Sequence, residues 1–104
     1  MAQNATRNVI TAALTGTGSA ANLFAAGASG QYIDITTLVI TSSTTTAQAT
    51  LSDGTTSYVF NVANGSPVNA SFNPPLKAAS AATAWTLNAP STMNAVAVAV
   101  AANL

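Results

Sequence analysis

The sequence predicts an all-β protein: an antiparallel β-sandwich, jelly-roll-like or immunoglobulin-like, of about seven or eight short strands. Three observations carry this expectation. Runs rich in Val, Ile, Thr and aromatic residues recur with turn signals roughly every 8–12 positions. The Asp53-Gly54 pair separates two alternating runs, the favoured signal for a β-hairpin. The Ala-rich run over 20–28, where helix propensity is high, is too short and too broken by Gly27 to hold a helix.

Taken in order, residues 7–14 read as a first strand, and Thr15-Gly16-Thr17-Gly18-Ser19 as a turn. Residues 20–28 hold a short strand or a single helical turn. Gln31–Ser42 is the longest β signal. Ile33 and Ile35 share one face, Leu38 and Ile40 the other, and the phase flips at Thr36-Thr37. Such a flip marks a β-bulge, a strand that changes sheets, or a strand buried on both faces. A two-residue Asp53-Gly54 loop sets Ser52 opposite Thr55, Ala49 opposite Tyr58 and Ala47 opposite Phe60. Residues 63–67 form a loop. Val68, Ala70 and Phe72 alternate until Asn73-Pro74-Pro75 stops the ladder. Residues 84–87 give a short strand carrying Trp85 and Leu87. Met93–Asn103 closes the chain, with Val96, Val98 and Val100 alternating with Ala95, Ala97, Ala99 and Ala101. The expected core is Ile33, Ile35, Leu38, Ile40, Leu51, Tyr58, Phe60, Phe72, Trp85, Leu87, Val96, Val98 and Val100. One sandwich domain over 1–104 is the natural count for this length.

Composition excludes much chemistry. Of 104 residues, 49% are hydrophobic and only 4% charged, against about 25% charged in an ordinary domain. The charges are Arg7, Asp34, Asp53 and Lys77, and they cancel. With no His and no Cys there is no Ser-His-Asp triad, no Cys nucleophile and no zinc site of the usual kind. Two isolated carboxylates do not make a calcium cage, and two cations do not neutralise a nucleic-acid backbone. No enzyme activity, cofactor, metal or nucleic-acid partner is expected. The start of the chain lacks the pattern of a signal peptide, and no apolar run is long enough for a spanning helix. The expectation is therefore synthesis in a cytoplasm and no membrane partner.

Individual motifs have ordinary readings. Gly16-Thr17-Gly18 lacks the lysine and helix context of a phosphate loop and reads as a turn. Asp53 is explained as the first loop residue of the hairpin. Asp34 is expected to face solvent or to pair with Lys77 or Arg7. Trp85, Tyr32 and Tyr58 could stack a sugar, but so few aromatics are expected to serve the core. The Thr residues fall too irregularly for an ice-binding array.

The unusual property is a surface with almost no charge, whereas small soluble domains carry mixed charges that limit self-association. The last strand is also apolar on both faces, where an exposed strand would alternate with polar residues. Its alanine face, Ala95, Ala97, Ala99 and Ala101, needs cover from another sheet or another subunit. The segment Met1, Ala2, Gln3, Asn4, Ala5, Thr6 and Arg7 has no core of its own and reads as an extended arm that orders on a neighbour. These eleven positions are the candidate interface.

One resemblance extends this reading. Leu51-Ser52-Asp53-Gly54-Thr55-Thr56, Tyr58-Val59-Phe60, Gly65-Ser66-Pro67-Val68-Asn69, Phe72-Asn73-Pro74-Pro75-Leu76, Ala84-Trp85-Thr86-Leu87-Asn88 and the Val/Ala strand follow in that order. This order resembles small β-sandwich virion proteins of tailed bacteriophages, capsid cement (decoration) proteins above all, over residues 31–104. The resemblance implies a structural homo-oligomer of the virion, made in the host cytoplasm. Its partner would be the major capsid protein shell, which it would bind across subunit junctions. Phage tail and head-fibre subunits share the style, and an ice- or carbohydrate-recognition module is the alternative of a different class.

Overall fold

The computed structural model describes residues 7–44 and 47–103, and the regular elements within them are all β-strands. They are β1 (Arg7–Thr15), β2 (Ala20–Phe24), β3 (Gln31–Ser42), β4 (Ala47–Ser52), β5 (Ser57–Val62), β6 (Val68–Leu76), β7 (Trp85–Asn88) and β8 (Met93–Asn103). Two four-stranded sheets result, in the orders β1-β8-β3-β6 and β2-β7-β4-β5. All their pairings are antiparallel. The chain changes sheet at each connection except the β4–β5 hairpin. This is the eight-stranded, double-sheet jelly roll, and it excludes the seven-stranded immunoglobulin order.

The phase flip in β3 is a bulge. Ile35 pairs with Ala99 and Thr37 with Val98, so Thr36 is the extra residue. The bulge turns Ile33, Ile35, Leu38 and Ile40 to one side, and all are buried. The Thr36 hydroxyl donates to the Val98 carbonyl at 3.0 Å, giving the interrupted ladder a local partner. From the opposite sheet, Trp85 is fully buried and its indole Nε1–H donates to the Ile33 carbonyl at 2.6 Å. That bond spans the sandwich from β7 to β3. A second irregularity, between Asn22 and Phe24 in β2, lets consecutive Leu23 and Phe24 both enter the core.

Along β8 the expected sides are reversed. Ala95, Ala97, Ala99 and Ala101 face the core, at 2%, 0%, 0% and 5% exposure, while Val96 is 53% exposed. Val98 and Val100 are half-buried on the same outer side as Val96. The reason is volume. Trp85, Leu51, Leu87, Phe24 and the β3 side chains already supply the bulk of the core. A close-packed interior then requires small residues on the strand that faces them. Tyr58, Phe60 and Phe72, also expected to be buried, are half-buried, because β5 and β6 are edge strands.

The hairpin register also differs from the expectation. Ser52 pairs with Ser57, Leu51 with Tyr58, Ala49 with Phe60 and Ala47 with Val62. The loop therefore spans residues 53–56, and each partner moves by two positions, which preserves every side chain's face. Gly54 sits at φ +92°, a left-handed conformation that glycine adopts without a Cβ clash. Gly16 is required for a different reason: a Cβ there would lie 1.9 Å from the Pro90 carbonyl oxygen. Its amide donates to the Met93 carbonyl at 2.9 Å, closing the end of the sandwich.

The reversal on β8 is testable by substitution. Ala97→Leu overpacks the core and is expected to cost about 1–3 kcal/mol. Val96→Ala, on the exposed side, should change stability by no more than about 0.5 kcal/mol. Urea denaturation of both variants checks this. A larger loss for Val96→Ala than for Ala97→Leu would mean that β8 is packed the other way round.

Candidate functional site

The register of the larger sheet defines its outer face. Directly opposed residues of antiparallel strands point to the same side. Val9, Thr11, Ala13 and Thr15 of β1 therefore align with Val100, Val98, Val96 and Asn94 of β8. Thr37, Val39 and Thr41 of β3 continue the rows beyond Val98, Val96 and Asn94, and Ser71 and Asn69 of β6 finish two of them. None of these residues is charged. Val9 is 73% exposed and Val96 53%, with Thr11 and Ala13 exposed beside them. Val98, Val100 and Val39 are half-buried between their neighbours. The remaining row runs from Val9 through Val100 to Asp34 of β3, so the result is a contiguous Val/Thr/Ala face with a carboxylate at its Val100 end, where a solvated sheet would alternate apolar-in with polar-out. Patches of this kind mark interaction surfaces.

The proposed interface positions divide accordingly. Ala95, Ala97, Ala99 and Ala101 are not available to a partner, because the molecule's own second sheet covers them. Met1, Ala2, Gln3, Asn4, Ala5 and Thr6 lie outside the described residues, and Arg7 opens β1. Val96, Val98 and Val100 of the candidate face are the valines expected in the core, and Val9 and Val39 join them there. Their signal was present in β8, whose two faces are both apolar, but periodicity alone does not say which face turns inward.

The carboxylates have structural partners. Asp53 is 1% exposed. Its Oδ1 accepts the Thr55 amide at 2.9 Å and the Thr56 amide at 2.8 Å, and its Oδ2 accepts the Ala79 amide at 2.7 Å. Asp34 Oδ1 accepts the Ala78 amide at 3.2 Å. Adjacent amides of the β6–β7 connection are therefore held by one acid from each sheet. Asp34 is half-buried and stands opposite in phase to the buried Ile33 and Ile35, as expected, and the partner its carboxylate finds there is the Ala78 amide. The Lys77 ammonium instead lies 5.6 Å from the centroid of the Tyr32 ring. Burial raises the Asp53 pKa, but the amide donors of Thr56, Thr55 and Ala79 outweigh it and hold the group below its usual value.

The sites for small ligands are poor. Trp85 is buried, with Tyr58 tilted against it at 6.3 Å between centroids, so these rings do not form an exposed sugar platform. An open cleft of about 250 Å³ is lined by Thr41, Ser42, Ala63, Asn64, Gly65 and Pro67. It falls below the range of about 300–1,000 Å³ usual for ligand pockets and is lined by no large hydrophobic or aromatic side chain. On the outer face, valines interrupt the threonine rows.

Fold and surface thus define the class: an eight-stranded jelly-roll sandwich with a charge-poor outer sheet face. No family model and no curated protein matches the sequence. Among solved structures the chain is similar to one described as "Bacillus endospore appendages form a novel family of disulfide-linked pili". The TM-score is 0.53 at 16% identity, covering 96% of this chain and 88% of that one. At that identity the likeness establishes the fold alone.

Asp53 gives a pH signature. Its folded pKa lies below the ordinary 3.8. The stabilisation it gives is therefore present above the unfolded value and lost as pH falls through the folded one. At neutral pH, Asp53→Asn is expected to cost about 1–3 kcal/mol, the usual range for hydrogen bonds to a charged group. The difference between wild type and variant should shrink as the solution is acidified below the ordinary value. Urea titrations at a series of pH values check this, and a pH-independent difference would contradict it.

Proposed function

We propose that this chain is a non-enzymatic structural subunit of a bacteriophage virion, a capsid cement protein that binds the outer shell across subunit junctions. The observation that carries the reading is the charge-poor Val/Thr/Ala face of the β1-β8-β3-β6 sheet, with Val9 and Val96 exposed on it. The ordered resemblance over 31–104 supports the virion assignment, and a virion location with synthesis in the host cytoplasm follows from it. Attachment at many equivalent points on a symmetric lattice makes individually modest contacts strong. A second reading, a subunit of a polymeric appendage, is favoured by the structural likeness to a pilus protein. That neighbour's pili are described as disulfide-linked, whereas this chain has no cysteine. A filament built from it would rest on non-covalent contacts.

The test mixes purified chain with undecorated capsids across a salt series and measures the bound fraction by sedimentation. Binding should vary little with salt, because the face holds little charge to screen, a single carboxylate at its Val100 end. Val96→Glu should weaken binding by about tenfold or more, since it buries an unpaired charge at the contact. Filaments formed by the chain alone in electron micrographs, without capsid binding, would favour the appendage reading. A soluble chain that binds no shell and forms no filament would overturn both, leaving a recognition module.

A further inference from the structure

The four sheet edges are β1, β6, β2 and β5, and they differ in how well they are protected. β6 contains Pro74 and Pro75, and its register against β3 jumps from Ile35↔Leu76 to Thr37↔Ser71, breaking the ladder. β2 has five residues and an irregular register against β7. β5 has six residues. β1 has nine, pairs with β8 without a register shift, and contains no Pro or Gly. Its single charged residue, Arg7, lies at its start. Among the described residues no strand pairs with its second edge. On the core side of β1, Ile10, Ala12 and Leu14 are only half-buried. A long, regular, uncharged edge flanked by half-covered apolar side chains is a template for another strand.

We infer that β1 pairs antiparallel with β1 of a second copy about a two-fold axis at Thr11. The strand's own sequence argues for this occupant. A two-fold axis normal to the sheet sets both sandwiches on the same side, and opposed antiparallel residues share a face. Core-side residues must therefore meet core-side residues. Centring the axis on Thr11, the middle of Arg7–Thr15, satisfies that condition and uses the whole strand. Ile10 then opposes Ala12 of the other copy, Val9 opposes Ala13, and Thr11 opposes Thr11. Ile10 and Val9 each meet an alanine, Leu14 meets the smaller Asn8, and Arg7 meets Thr15 rather than a second Arg7. The contact is isologous and closes at two copies. It joins two four-stranded sheets into one continuous sheet, doubling the Val/Thr/Ala face. This pairing uses the edge and not the face, so it stands apart from what that face binds.

The absence of cysteine makes the test direct. Thr11→Cys, an exposed position, places two thiols on the axis. Directly opposed residues lie about 4.5–5.5 Å apart between Cα atoms, within disulfide reach. Mild oxidation should give a covalent dimer. Val9→Cys should not, because its two copies lie two residues to either side of the axis, four residues or about 14 Å apart along the strands. For the unmodified protein, sedimentation equilibrium should give a dimer, and hydrogen exchange should find consecutive β1 amides protected. A monomer whose alternate β1 amides exchange freely would overturn the pairing. So would a dimer in which Val9→Cys crosslinks as readily as Thr11→Cys. Val96 lies on β8, away from this edge, so loss of shell binding in Val96→Glu with the dimer intact separates the two conclusions.

Discussion

Alanine on the inward side of β8 is the constraint from which the rest of the molecule follows. β8 lies between β1 and β3 in the larger sheet, and its methyl side chains face a core supplied by larger residues on other strands. A bulky residue at Ala97 or Ala99, both fully buried, would have to displace close-packed neighbours. With the small residues turned in, the valines must turn out, since successive side chains alternate. The core thus determines the surface. The exposed apolar face follows from how β8 is packed, and valine's preference for extended backbone keeps the strand stable while it faces outward.

The charged residues are few, and their placement accords with this economy. Asp34 belongs to β3 and Asp53 follows β4, in opposite sheets. They accept the amides of Ala78 and Ala79, adjacent residues of the segment joining β6 to β7. Charge-assisted hydrogen bonds to backbone amides are among the stronger ones available, and they satisfy donors that the connection would otherwise leave unpaired. Lys77, next in sequence, rests over Tyr32. Three of the chain's four charged residues therefore sit around one connection, with Asp34 at the Val100 end of the outer face, and the Val98, Val96 and Asn94 rows of that face hold no charge.

Much of this was legible in the residues, and the parts that were not have physical causes. Alternation gave β3 and β8 their observed bounds, and the phase flip at Thr36-Thr37 located the bulge, because a two-residue period is a local property. The inward face of β8 was not legible, since both of its faces are apolar and the deciding volume comes from strands distant in sequence. The hairpin failed for a related reason. Asp53-Gly54 favours a two-residue loop locally, but the Asp53 carboxylate gathers the amides of Thr55, Thr56 and the distant Ala79. That third donor lies in a different connection and has no signature near the turn. The candidate surface was recognised as apolar strand sequence but assigned to alanines that the second sheet covers.

What a charge-poor face builds depends on symmetry more than on strength. Without charge repulsion to hold copies apart, exposed valines favour association, and the form of that association depends on whether the contact closes. An isologous pairing of β1 with β1 uses up the long edge of both copies and stops at a dimer. A face docked on a preformed shell stops when the shell's equivalent sites are filled. The same face docked head to tail on a different surface of another copy does not close, and it propagates as a filament. A jelly roll of this composition can thus serve a decorated shell or an appendage without any change in its core. Capping the β1 edge is then the structural step that favours a finite assembly over an open one.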